Sequence, residues 1–128
     1  MSLNENDTEQ DRGTLAKMVT HAFDLWKIDT DAQLSLLGLA ASNRAELSRY
    51  RKGEPLADNP DLIQRVGHLL AIHKSLRQLF PQDRDLAYAW MTQINRAFDH
   101  RTPVGVIREQ GLPGLQAVHT YLDHPGVS

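Results

Sequence analysis

The chain contains no cysteine. That excludes disulfides, thiolate metal sites and thiol nucleophiles. No apolar run approaches the ~20 residues that span a bilayer, so no membrane contact is expected. The opening stretch, MSLNENDTEQDRG, is polar and acidic and lacks the apolar core of a secretion signal. A cytoplasmic location is therefore expected. A Gly-rich phosphate loop, HExxH and GxSxG are all missing. Asp83 and Asp85 are two apart, diverge on a helix, and suit a helix N-terminus better than acid–base chemistry. His68 and His73 are five apart and do not share a face as a metal pair would. His119 and His124 have no third ligand at helical spacing. No catalytic residue, metal site or cofactor is expected, because a reaction needs converging groups. Strand alternation and internal repeats are also lacking.

What is present is helical periodicity. The 128 residues, 41% hydrophobic, suffice for one domain or for two small helical lobes sharing a core. Residues 1–13 read as a disordered tail. From Gly13 or Thr14, the residues Leu15, Met18, Val19, Ala22, Phe23 and Trp26 recur as one apolar stripe. Next comes TDAQLSLLGLAASNRAELSRYRKG. Thr30 is positioned to cap a helix with Gln33 reaching back, and Gly38 to end it left-handed. Ser42 or Asn43 opens a second short helix, with Glu46 completing a box-like pattern, and Gly53-Glu54-Pro55 closes it. Two helices joined in this way predict a helix-turn-helix.

On the second of these helices Leu47 and Tyr50 point inward, while Ser42, Arg44, Ala45, Ser48, Arg49 and Lys52 share the outer side. Small residues at the start and cations at the end suit a helix entering a DNA groove, where short side chains meet base edges and positive ones meet phosphates. An ordinary solvated face has the same pattern. Residues 42–52 hold four cations against Glu46, a local +3 within a chain of net charge −2.

Asn59-Pro60 predicts the start of the longest helix, running to Phe80, with Leu62, Val66, Leu69, Leu70, Leu76 and Phe80 on its apolar face and Ile63, Ile72 and Leu79 widening it. Such breadth predicts a spine covered on more than one side. Asp83 opens a helix carrying Leu86, Ala87, Trp90, Met91 and Ile94. Residues 95–101 read as a loop anchored by Phe98. Thr102-Pro103 opens a short helix ended by Gly111, Pro113 opens the last, and Pro125-Gly126 stops it. Val106, Ile107, Leu115, Val118 and Tyr121 amount to more apolar groups than two small helices can bury alone. The expected architecture is all-α: a helix-turn-helix lobe at residues 14–58, a long linking helix at 59–81 and a C-terminal helical lobe at 82–128.

Several segments together resemble the Xre/MbcA/ParS-type antitoxins. Leu25-Trp26-Lys27-Ile28, Gln33 and Leu36-Leu37-Gly38 are similar to the family's WGLS…E/Q…LLG pattern. Residues 49–54, RYRKGE, are similar to its R-W-K-x-G-E. The long helix through Leu79-Phe80-Pro81 is similar to ERI..LL.I...L..LFP. Asn95, Phe98, Pro103, Gly111, Leu115, Val118, Tyr121 and Leu122 follow its N..F.G..P…G…L..V..YL ending. Asp99-His100 stands where the family often has a glycine turn, and Tyr50 where it often has Trp.

The resemblance implies a homodimeric type II antitoxin with no catalysis of its own. Its C-terminal half would cover the NAD cleft of a RES-domain toxin, and its helix-turn-helix would bind operator DNA and repress its own operon. Phe98, Arg108, Gln116, His119 and Tyr121 are the candidates for toxin contact, since Tyr and Arg favour interface cores. Two rivals remain: a stand-alone helix-turn-helix repressor with a dimerising tail, and an adaptor that binds protein only.

Overall fold

A computed structural model of the chain describes the backbone of residues 5–124 and the side chains from Thr8 onward. Residues 1–4 and the Pro125-Gly126 stop lie outside the described residues. The described chain is all-helical, as its periodicity predicts, and contains no strand.

The first helix, α1, spans Glu5–Trp26 and so starts nine residues upstream of Thr14. Residues 5–13 carry no apolar stripe and therefore show no periodicity. A helix already nucleated by the stripe that follows is cheap to extend through Glu, Gln and Arg. Within the stripe Val19, Ala22, Phe23 and Trp26 are buried, but Met18, expected inside, is 49% exposed. Gly13 is buried in mid-helix, and a Cβ there would lie 2.8 Å from the Gly53 carbonyl oxygen. Beside it, Arg12 Nε donates to the Leu56 carbonyl at 2.9 Å, and the Leu56 N–H donates to that of Arg12 at 3.3 Å.

Helix α2 is Thr30–Leu37. Its cap is Asp29, not Thr30. Lys27 takes a left-handed turn (φ 57), and this leaves Asp29 extended, with its carboxylate accepting from the Ala32 N–H at 2.8 Å. Gln33 does not reach back to Thr30. It is buried and donates to the Ile28 carbonyl at 2.9 Å. Gly38 closes α2 at φ 74. Helix α3, Arg44–Arg51, follows residues 38–43, with Leu47 and Tyr50 buried as expected. At its start the Asn43 side chain donates to Glu46 at 2.8 Å instead of accepting from the backbone.

The spine, α4, is Pro60–Leu79, capped by Asn59 accepting from Asp61 and Leu62. It buries Leu62, Val66, Leu69, Ile72 and Leu76 and packs against α1, α2, and the later helices α5 (Arg84–Ala89) and α7 (Leu112–Asp123). Leu70 and Phe80, placed on its apolar face by periodicity, are only partly buried. Asp83 caps α5, which tightens into a 3₁₀ turn at Trp90–Thr92. There the stripe fails: Ala87 and Met91 are buried, but Ile94 is 70% exposed. Thr102 caps α6, Pro103–Gln110, and Gly111 ends it and begins α7 at Leu112, one residue before Pro113.

Buried residues from all seven helices form one continuous cluster. The apolar surplus assigned to the C-terminal lobe is largely internal. Val106, Ile107, Leu115 and Val118 are buried, with α7 against α4 and α6 against α2 and α7, and only Tyr121 stays half-buried.

Gly→Ala in an ordinary helix interior stabilises by about 1 kcal/mol. At Gly13 the sign should reverse, because a methyl group must displace the Gly53 backbone. Denaturant melts of Gly13→Ala should show a loss of about 1–3 kcal/mol. An unchanged or raised midpoint would show that the approach of α1 to the α3–α4 loop is not tight.

Candidate functional site

The six residues singled out for DNA lie on the outer face of α3 or flank it, with Ser42 in the connection before the helix and Lys52 at its C-cap. Ser42, Arg44, Ala45, Ser48, Arg49 and Lys52 are all exposed. Arg44 pairs with Asp31 at 2.8 Å and Arg49 with Glu54 at 3.4 Å, and every partner is more than half exposed. Such pairs contribute at most about 1 kcal/mol and can be exchanged for another anion. Lys52 makes no ion pair among the described residues. Arg51 belongs elsewhere: it bonds Asp24 at 2.7 Å and the buried Gln33 at 2.6 Å, fixing α3 to α1 and α2. The local +3 read from the sequence is thus partly compensated by Asp31, Glu54 and Asp24.

A second feature gathers residues distant in the chain. Trp90, Phe98 and Tyr121 form an aromatic cluster. Trp90 stacks on Tyr121 with centroids 6.2 Å apart, and Phe98 stands edge-on to Tyr121 at 5.3 Å and to Trp90 at 6.3 Å. All three are half-buried, and exposed Ile94 lies four residues after Trp90. The loop that supplies Phe98 is held at its base, where the Asn95 N–H donates to the Arg101 carbonyl at 3.0 Å. Its tip turns through two consecutive left-handed residues, Asp99 (φ 56) and His100 (φ 63). Neither is glycine, so the turn carries backbone strain. Arg101 secures it by bonding Glu109 and approaching Asp99 at 3.6 Å. Rigid aromatic rings, half desolvated and clamped by a polar framework, suit protein recognition.

Of the residues singled out for toxin contact, Phe98 and Tyr121 meet in this cluster. Arg108 instead lines a cleft with Asp31, Leu34 and Leu39, beside the start of the α2–α3 connection. Gln116 is exposed on α7. His119 is half-buried and turned toward α4, with its Nδ1 2.8 Å from that of His68 and its Nε2 3.3 Å from Asp123. Trp90 and Ile94 were missed as surface residues. Their spacing fits a core stripe, and only the change from α-helix to 3₁₀ turn rotates them outward.

The His68–His119 contact needs one nitrogen to donate and the other to accept. Asp123 Oδ2 lies 3.3 Å from His119 Nε2, within ion-pair distance when that ring is protonated. Burial, and then the charge of His119, push the His68 pKa below its usual range. Burial, followed by Arg77 and His21, lowers that of His73, whose ring is stacked on Tyr88 and edge-on to Trp26. No group of three or more His, Cys, Asp or Glu among the described residues is placed to hold a metal. No helix among the described residues is long and apolar enough to cross a membrane.

The fold and its surfaces define an all-helical protein whose C-terminal half presents a preformed aromatic patch. Residues 75–124 match the Antitoxin Xre/MbcA/ParS C-terminal toxin-binding domain. The aromatic cluster lies wholly inside the matched segment and α3 wholly outside it. The chain is also similar to an uncharacterized protein, y4oB, of Sinorhizobium fredii (strain NBRC 101917 / NGR234). Identity is 28% over 100 residues, covering 78% of this chain and 74% of the relative.

Histidines whose folded pKa lies below the unfolded value bind fewer protons when folded. Stability is then full above the unfolded pKa of about 6.5 and is lost as pH falls through it toward the folded value. Thermal melts should therefore show a lower midpoint at pH 5.5 than at pH 7.5. The dependence should flatten in His68→Asn, and an identical dependence in that variant would remove the α4–α7 histidine pair as its cause.

Proposed function

We propose that this chain is the non-enzymatic antitoxin of a type II toxin–antitoxin pair. Its C-terminal half docks on a RES-domain toxin and covers the cleft where that enzyme takes NAD. Residues 30–53 act as a helix-turn-helix that binds operator DNA and represses the operon, and the chain works in the cytoplasm as a homodimer. The toxin half of this reading rests on the aromatic cluster of Trp90, Phe98 and Tyr121 within a segment matched to a toxin-binding domain. Docking there needs little reordering, because the rings and their loop are already fixed.

Co-expression with the protein encoded beside it should yield a stable complex in which NAD consumption is blocked. Tyr121→Ala should cost about 2 kcal/mol of binding, which is about 30-fold in affinity, and should release the toxin's NAD-consuming activity. Trp90→Ala should behave likewise. Retention of wild-type affinity by both variants would place the contact elsewhere.

The DNA half rests on the exposed small-then-cationic face of α3. The double variant Arg49→Glu/Lys52→Glu should abolish operator retardation in a gel while leaving toxin binding intact. A two-fold operator should carry half-sites about 34 Å apart or a multiple of it. A stand-alone repressor is the second reading, favoured by the same α3 face. It requires operator binding indifferent to any toxin. An adaptor that binds only protein would show no retardation in the wild type.

A further inference from the structure

A third surface shares no residue with α3 or with the aromatic cluster, although Arg77, Phe80 and Arg84 within it fall inside the matched segment 75–124. Between α1, the C-terminal part of α4 and the start of α5 runs an open groove of about 680 Å³. Its apolar wall includes Met18, Leu70 and Phe80. Met18, half exposed, interrupts the buried stripe of α1 at this point. Lys74, Arg77 and Arg84 also line it, with no carboxylate among the lining residues. These three cations are exposed and make no ion pair among the described residues. Among the described residues Arg44, Arg49, Arg51, Arg65 and Arg101 hold acidic partners, while Lys52 and several other cations do not; what sets the groove apart is that its three cations line one apolar concavity with no carboxylate in the wall. In a chain of net charge −2, three unpaired cations around apolar side chains form a local complement to something both acidic and apolar.

We propose that this groove docks an acidic amphipathic helix of a partner protein, apolar face down, with its carboxylates against Lys74, Arg77 and Arg84. A second copy docking by this same patch would set the three cations against three like charges, which is repulsive. The chain's own acidic run at residues 5–11 is continuous with Met18 in α1 and cannot fold back onto it. A concave site with apolar walls accepts a helix laid lengthwise better than a flat anionic membrane. The inference does not depend on the toxin or DNA readings and leaves α3 and the aromatic cluster untouched.

The test uses the full chain and a fluorescein-labelled 18-residue amphipathic helix with a Leu face and a Glu face, beside its isomer with Lys in place of Glu. Anisotropy should show saturable binding of the Glu peptide, weakened by salt, and little of the Lys peptide. Arg77→Glu/Arg84→Glu should weaken Glu-peptide binding at least tenfold and gain affinity for the Lys peptide. A variant that had merely misfolded could not make that exchange. Met18→Ser should weaken Glu-peptide binding about threefold by loss of apolar contact. The proposal is overturned if the Glu peptide fails to bind, or if the charge-reversed variant binds both peptides as the wild type does. Tighter binding to phosphatidylglycerol vesicles than to the peptide would overturn it in favour of a membrane. A dimer that Arg77→Glu/Arg84→Glu dissolves would overturn it in favour of a second copy. Failure of any of these arms leaves the toxin assay unaffected, since that assay reads Trp90 and Tyr121.

Discussion

Helix α4 has to be covered on several sides, and most of the molecule follows from that need. Its buried residues Leu62, Val66, Leu69, Ile72 and Leu76 meet α1 and α2 from the front of the chain and α5 and α7 from the back. Each such side chain contributes about 1.5–3 kcal/mol when fully buried, whereas the exposed ion pairs contribute at most about 1. The core therefore sets the arrangement of helices, and the surface charges are left free to serve other ends. The same need consumes Val106, Ile107, Leu115 and Val118. What the C-terminal half leaves for a partner is not general greasiness but a small set of rings at the end of α5, in the 95–101 loop and on α7.

The polar groups then decide orientation. Arg51 reaches both Asp24 and Gln33, and Gln33 in turn bonds the Ile28 carbonyl. This relay, anchored on the buried Gln33, ties α3 to α1 and α2 and fixes which way α3 rolls. Tyr50 adds to it by accepting from the Ala57 N–H at 3.2 Å. With Leu47 and Tyr50 turned in and Arg51 spent on the frame, Arg44, Arg49 and Lys52 are the cations left facing out. The cationic face is a remainder after packing, which is why charge counting alone overstates it.

Much of this was legible because helix ends are local chemistry. Asn59-Pro60, Asp83 and Thr102-Pro103 open helices where the capping rules place them, and Gly38 closes one. The inward turn of Leu47 and Tyr50 needed only the 100° step. Other features depend on residues far apart. Gly13 reads as the start of a helix until Gly53 is seen lying against it, 40 positions on. His68 and His119 are 51 apart and share nothing in sequence. The aromatic cluster draws on three segments, and Trp90 looks like core until α5 tightens. Thr30 lost the cap to Asp29 because the left-handed turn at Lys27 cannot be read from a lysine. Locally encoded features were visible, and those created by tertiary packing were not.

One core also constrains how the surfaces can influence one another. The front and back helices are not separated by a hinge: α2 packs on both α4 and α6, and the cleft holding Arg108 opens beside Leu39 at the start of the connection to α3. Local melting of one half would expose apolar residues of the other, so the halves are expected to open together. On the proposed function, a toxin seated on the aromatic cluster would then affect DNA binding by where its bulk and charge sit relative to α3. A change of shape passed through the chain would need two discrete packings of α4, each repacking the one continuous cluster that surrounds it.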